Sequence, residues 1–113
     1  MTQTTQRLAE MKCVPCEGGV PPLTEEQAKA YLEQLDEAWQ LEEGNLVRRF
    51  KFRNFRDAMA FVNKVAEIAE SEGHHPDISI SYNRVRLSLF THAIHGLSDN
   101  DFILAAKIDL LIK

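Results

Sequence analysis

Apolar residues recur along this chain in two rhythms, one helical and one alternating, and the switches between them mark out its elements. The first 22 residues follow neither rhythm. Pro15, Gly18, Gly19, Pro21 and Pro22 punctuate them, which predicts an irregular arm over residues 1–21 and a single domain over 22–113. Thr24 then opens a helix: it can cap, Gln27 can complete a capping box, and Glu25 and Glu26 suit the positive end of the helix dipole. Ala28, Tyr31, Leu32 and Leu35 form its apolar stripe, and the pattern predicts an end near Asp36 or Glu37. Two strands follow. Trp39 and Leu41 alternate with polar neighbours, Gly44-Asn45 supplies a turn, and 46–53 alternates again. Phe50 and Phe52 are expected on one side of that strand, with Arg49, Lys51 and Arg53 on the other.

Asn54, with Asp57 three residues on, caps a second helix. Phe55, Ala58, Met59, Val62, Val65, Ala66 and Ala69 keep one face of it, Phe61 and Ile68 widen the stripe on a flank, and Gly73 is the expected stop. Ile78, Ile80 and Tyr82 alternate as a strand, Asn83-Arg84 turns, and Val85, Leu87, Leu89 and Thr91 return, delivering His92 at the strand's end. Ser98, with Asp101, caps a last helix whose face is Leu104, Ile108, Leu111 and Ile112. The order α-β-β-α-β-β-α predicts an α+β domain, an antiparallel sheet covered by helices on one face.

Composition narrows the class. The 113 residues are 44% hydrophobic and 27% charged, as in soluble globular domains. No apolar run approaches the ~20 residues that span a bilayer, and the N-terminus lacks the apolar centre of a secretory signal, so the expectation is a cytoplasmic protein with no membrane contact. The net charge of −4 conceals blocks: 24–43 carry seven acids and one base, 46–64 six bases and one acid, 65–80 four acids and no base. The basic block at 48–56 interleaves aromatics with Arg and Lys, as nucleic-acid surfaces do. Bases on the wet side of a half-buried strand explain it more simply, so no nucleic-acid partner is expected.

All four histidines lie in 74–95, at the ends of elements, where a scaffold presents functional groups. Glu70 stands one helical turn before His74, and a carboxylate with a helix C-terminus favours a protonated ring suited to acid–base work. Pro76 pushes His75 toward extended backbone, so the adjacent histidines need not share a role. A metal site and a purely structural role are open alternatives at this point, although neighbouring rings rarely converge on one ion. Asp101 is at least a helix cap.

Glu70-x-x-x-His74-His75-Pro76, then Tyr82, His92 and Asp101 at offsets of five, nine and eight intervening residues, closely resembles the signature of the pterin-4a-carbinolamine dehydratases. The resemblance runs on through Trp39, Phe50-x-Phe52, Asn54-Phe55, Tyr82-Asn83, Leu87-Ser88-Leu89, Thr91-His92 and Gly96-Leu97-Ser98, and covers about 22–113. It implies a four-stranded antiparallel sheet with three helices on one side. It also implies a hydro-lyase that converts 4a-hydroxytetrahydrobiopterin to quinonoid dihydropterin, recycling tetrahydrobiopterin after aromatic amino acid hydroxylation, with no metal and no organic cofactor. Members form homodimers and often homotetramers, which suits the broad apolar stripe of the second helix. By the resemblance, His74 and His92 are the acid–base pair and His75 binds and orients the pterin. Asp101 holds and polarises a histidine, Glu70 sets the state of His74, and Pro76 and Trp39 belong to the substrate-binding surface, Trp39 packing on the flat pterin.

Two features fall outside the signature. His95 is expected to face solvent. Cys13-x-x-Cys16 has half of a zinc-ribbon spacing, leaving three readings: a free reduced pair, a redox couple, or zinc shared between two copies. The alternative functions are regulatory. Animal relatives stabilise a dimeric homeodomain transcription factor, and some microbial relatives are linked to molybdenum-cofactor metabolism. An aromatic amino acid hydroxylase is the implied pathway partner.

Overall fold

The computed structural model describes residues 8–13 and 21–112. Its elements are α1 (Glu25–Leu32), β1 (Gln40–Glu42), β2 (Asn45–Lys51), α2 (Phe55–Glu72), β3 (Asp77–Ser81), β4 (Arg84–Leu89) and α3 (Asp99–Asp109), with short 3-10 turns at Leu8–Glu10 and His92–Ile94. The four strands form one antiparallel sheet in the order β1-β2-β4-β3. Leu46 and Phe50 of β2 and Val85, Leu87 and Leu89 of β4 share one face, and they form a single core with α2 and α3. This is the predicted α+β architecture with three helices. Among the described residues no helix is long and apolar enough to cross a membrane.

The predicted caps are present. Thr24 Oγ1 accepts the Gln27 amide at 3.1 Å while Gln27 returns its side-chain oxygen to the Thr24 amide at 2.8 Å. Asn54 Oδ1 accepts the Asp57 amide at 2.8 Å. Helix α1, however, stops at Leu32, short of the expected Asp36. The Gln34 and Leu35 amides bond back only three residues, to the Tyr31 and Leu32 carbonyls, which tightens the chain out of the α-helix. The Asp36 amide then donates to Asp109 Oδ2 at 3.0 Å, a tertiary partner that no local pattern announces.

Both hairpin turns sit one residue earlier than their composition indicates. Pairing of Glu42 with Asn45 leaves Glu43-Gly44 as the turn, both at positive φ (51° and 85°), the backbone of a tight primed hairpin. Pairing of Ser81 with Arg84 leaves Tyr82-Asn83, with Tyr82 at φ 51° and Asn83 clasping the end of β2 through two hydrogen bonds to Phe52.

Arg49 and Lys51 lie on the exposed side of β2, as expected of the basic block. Arg48 does not. It points inward, Nη1 2.7 Å from Asp109 Oδ1, with its guanidinium 4.6 Å from the Phe50 ring centre. Helix α2 is also rotated from the predicted stripe: Phe61 is buried against Phe50 and Phe52, while Phe55 and Ala66 are exposed. Helix α3 departs further. Instead of one face, everything from Asn100 to Ala106 is buried, whereas Ile112 is exposed.

Candidate functional site

The site forms where the end of α2 meets the start of α3. Gly73 terminates α2 in the left-handed region (φ 69°), and the Gly73 and His74 amides both donate to the Ala69 carbonyl, at 2.9 and 3.3 Å. This termination swings the chain off the helix axis. The one-turn relation between Glu70 and His74 is thereby lost, and the two histidines part. His74 turns inward, its Nε2 2.6 Å from Asp101 Oδ1. His75 turns back, its Nε2 2.6 Å from Glu70 Oε2. One-turn spacing joins Glu70 to His74 in the sequence; in the fold Glu70 meets His75 instead, because the left-handed residue intervenes.

Asp101 is the hub. It is fully buried (0% exposed), and both its oxygens are used. Oδ2 accepts the Ser98 amide at 3.0 Å, completing the capping box of α3, and the Thr91 hydroxyl at 2.8 Å. The proton bookkeeping around it is closed. Thr91 commits its one hydroxyl proton to Asp101, so across the 2.8 Å Thr91–Ser98 contact the Ser98 hydroxyl is the donor, and Ser98 Oγ accepts the Asn100 amide at 3.2 Å. With Oδ2 taken by the Ser98 amide and the Thr91 hydroxyl, Oδ1 is left as the acceptor facing His74, to which the ring presents Nε2–H. That fixes the ring's orientation and leaves Nδ1 as the atom able to take a proton.

Thr91 also places the third histidine. His92 is the next residue and opens the 3-10 turn His92–Ile94, exposed, with its ring edge-on to Phe90 at 5.1 Å. The turn is pinned by mutual hydrogen bonds of Thr91 and Gly96, and Pro22 presses on Gly96 so closely that a Cβ there would lie 2.5 Å from Pro22 Cβ. His95, at φ 56°, closes the turn and is exposed, as expected.

Trp39 is elsewhere. It is 2% exposed, and its Nε1 donates to Asp109 Oδ1 at 2.7 Å. Asp109 is eight residues beyond Asp101, about 12 Å along α3, so Trp39 belongs to the core at the far end of that helix and offers no face to a flat ligand. Pro76 is half-buried directly after His75 and leads into β3. The resemblance includes Thr91 beside His92 but gives it no role, and the Ser98–Asp101 capping spacing hints at the network Thr91 joins; Glu72, which the pattern does not mark, bonds the Cys13 amide and pairs with Lys107 instead.

Of the cysteine pair, Cys16 lies outside the described residues. The Cys13 thiol is pushed up to about 12, first by burial and then by the charge of Glu72. It is therefore protonated at neutral pH, whereas a thiolate nucleophile or metal ligand requires the opposite shift.

The family profile for Pterin 4 alpha carbinolamine dehydratase matches residues 21–111. The chain is 53% identical over 105 residues, 93% of each chain, to a Nitrosomonas eutropha protein whose name assigns it provisionally to that activity. It is similar to a solved structure described as a transcriptional coactivator/pterin dehydratase from Brucella melitensis, at 34% identity and a TM-score of 0.77, covering 81% of this chain and 99% of that one. A second solved structure, a pterin dehydratase-like protein identified as a RuBisCO assembly factor in the alpha-carboxysome, is 26% identical with a TM-score of 0.54, covering 65% of this chain and 84% of that one.

Proposed function

The chain belongs to the pterin-4a-carbinolamine dehydratase family, and from that premise we propose that it dehydrates a 4a-hydroxytetrahydropterin by histidine acid–base catalysis. The reaction breaks the C4a–O bond, forms C4a=N5 and releases water, so one group must give a proton to the departing hydroxyl and another must take the proton from N5. His74 is the base. Its Nε2–H is committed to Asp101, and a buried carboxylate 2.6 Å away stabilises the positive ring created when Nδ1 accepts the N5 proton. His92, exposed at the head of its turn, is the acid that protonates the hydroxyl. His75, steadied by Glu70, binds and orients the pterin, with Pro76 fixing its backbone.

The observation that carries this reading is the His74–Asp101 contact. A fully buried aspartate whose oxygens meet Ser98, Thr91 and His74 is costly to build and is what a positioned base requires. A surface that only binds a partner needs no such pair, which favours catalysis over the coactivator and assembly roles named for the Brucella and carboxysome proteins, and over a molybdenum-cofactor role. The remaining features of the reading are cytoplasmic tetrahydrobiopterin recycling beside an aromatic amino acid hydroxylase, in a homodimer or homotetramer. Exposed Phe55 on α2 and exposed Ile80 and Tyr82 at the β3 edge support self-association. Stopped-flow dehydration of enzymatically generated carbinolamine is the test. Wild-type protein should accelerate water loss, and His74→Ala and His92→Ala should each slow it by about 10²-fold or more. Wild-type rates in both variants would overturn the assignment.

A further inference from the structure

Helix α3 is buried on almost all sides over Asn100–Ala106, more than one sheet face and α2 achieve for a helix lying beside them. Helix α1 covers part of the remainder, Tyr31 stacking on Phe102 at 5.3 Å, and the Leu8–Cys13 segment also packs on α3. Leu8 is 3% exposed, and Ala9, Met11 and Cys13 pack against the core. This segment precedes the residues matched by the family profile, 21–111.

Its last residue touches both elements that build the site. The Cys13 amide donates to Glu72 Oε1 at 2.9 Å, and Glu72 ends α2, two residues before His74. The Cys13 thiol donates to the Asn100 carbonyl at 3.6 Å, and Asn100 immediately precedes Asp101. Glu72 is held from the other side as well: Oε2 lies 3.2 Å from Lys107 Nζ of α3, with the two side chains 8% and 17% exposed. The Cys13 amide, backed by Lys107, keeps the Glu72 carboxyl below its ordinary range, so the bonds it receives are charge-assisted at neutral pH.

We infer that Leu8–Cys13 is a strap that sets the spacing of His74 and Asp101, acting through Glu72 as a positioning residue. The inference rests on the acid–base reading above. Nothing in the strap touches the reacting atoms. It fixes the end of α2 against the start of α3, and with them the 2.6 Å contact between the ring and the carboxylate.

The experiment uses the full-length chain with Glu72→Ala, Glu72→Gln and Leu8→Ala, measuring kcat and KM for dehydration alongside the ¹⁵N NMR signals of the His74 imidazole. Glu72→Ala should lower kcat about tenfold with KM changed less than about twofold, because a small displacement at a catalytic pair costs rate more than affinity. The His74 Nε2 signal should move in the same variant, and Glu72→Gln, which still offers an acceptor to the Cys13 amide, should restore most of both. Leu8→Ala carries the same test through the strap's anchor should Glu72→Ala not fold. A folded Glu72→Ala or Leu8→Ala protein that leaves either kcat or the His74 signals at wild-type values overturns the strap's role. If the wild-type chain itself fails to dehydrate the carbinolamine, the acid–base reading falls and the imidazole signals alone decide the strap.

Discussion

Glu70 Oε2 lies 2.6 Å from His75 Nε2, although Glu70 stands one helical turn before His74. Both partners are open to solvent, with side chains 78% and 58% exposed, so the pair adds less than about 1 kcal/mol to folding. On the proposed function its use is to orient a ring. Glu70→Ala should therefore leave the melting temperature almost unchanged and lower kcat/KM about tenfold, chiefly through KM, the equivalent of ~1.4 kcal/mol of lost substrate orientation. Steady-state kinetics beside a thermal melt checks it. A fall confined to kcat would return Glu70 to His74.

Asp101→Asn tests the hub. The site needs an acceptor at both carboxylate oxygens, for His74 on one side and for Ser98 and Thr91 on the other. An amide has one oxygen. Either it opposes a donor with a donor near Ser98, or it forces His74 into the other tautomer, with Nδ1 protonated and unable to act as base. The expected outcome is a loss of about 10²–10⁴ in kcat together with ~1–3 kcal/mol of stability, read by the dehydration assay and by urea unfolding.

At the other end of α3, Asp109 collects the Arg48 guanidinium, the Trp39 indole N–H and the Asp36 amide, at 2.7, 2.7 and 3.0 Å. Arg48 is 9% exposed, and its Nε finds no protein partner among the described residues. Asp109→Ala leaves that charge only the longer pairing with half-exposed Asp36, 3.7 Å from Nη1, and removing one member of a buried pair costs roughly 3–5 kcal/mol. Trp39 is the single tryptophan, so its fluorescence reports the change directly. Denaturant unfolding followed at Trp39 should show the midpoint falling sharply, and a shift below 1 kcal/mol would mean the network is relaxed by water.

The Cys13 thiol supplies a pH prediction. Its ordinary value is 9.0, and the folded chain pushes it up to about 12, through burial first and then the negative charges of Glu72 and Asp101 against the positive Lys107. A raised folded value means the native state holds this proton more tightly than the unfolded chain. The stability it contributes is thus complete below pH 9.0 and is lost as pH rises toward about 12. Wild-type and Cys13→Ala proteins, unfolded in urea at several pH values, should diverge in slope over that window, the wild type losing stability faster.

Most of the fold was legible because local chemistry and tertiary structure agree there. Thr24-x-x-Gln27, Asn54-x-x-Asp57 and Ser98-x-x-Asp101 all cap where their spacing indicates, and Gly73 stops α2. What the pattern missed depends on residues far apart in the chain. Asp109 captures the Asp36 amide across 73 positions and shortens α1; it also draws Arg48 inward from a segment that otherwise reads as a solvent face. The burial of Trp39 has the same cause. At the site, the signature supplied His74, His75, His92 and Asp101. The wiring among them was hidden, because a single left-handed residue at Gly73 decides which histidine meets which carboxylate. The packing of Leu8–Cys13 on α3 left no periodic trace at all, since six residues, half of them one 3-10 turn, have none to leave.

Asp101 is both the closing member of the α3 capping box and the partner of His74. On the proposed mechanism, chemistry and architecture therefore hang on one side chain. A lineage drifting away from catalysis could discard His74 or His92 cheaply, but it could not discard Asp101 without also uncapping α3, at a cost of about 0.5–2 kcal/mol. Descendants that had exchanged reaction for partnership would thus be expected to lose their histidines first and keep the aspartate longest, so a retained aspartate would be a poor diagnostic of living activity and the histidines a good one.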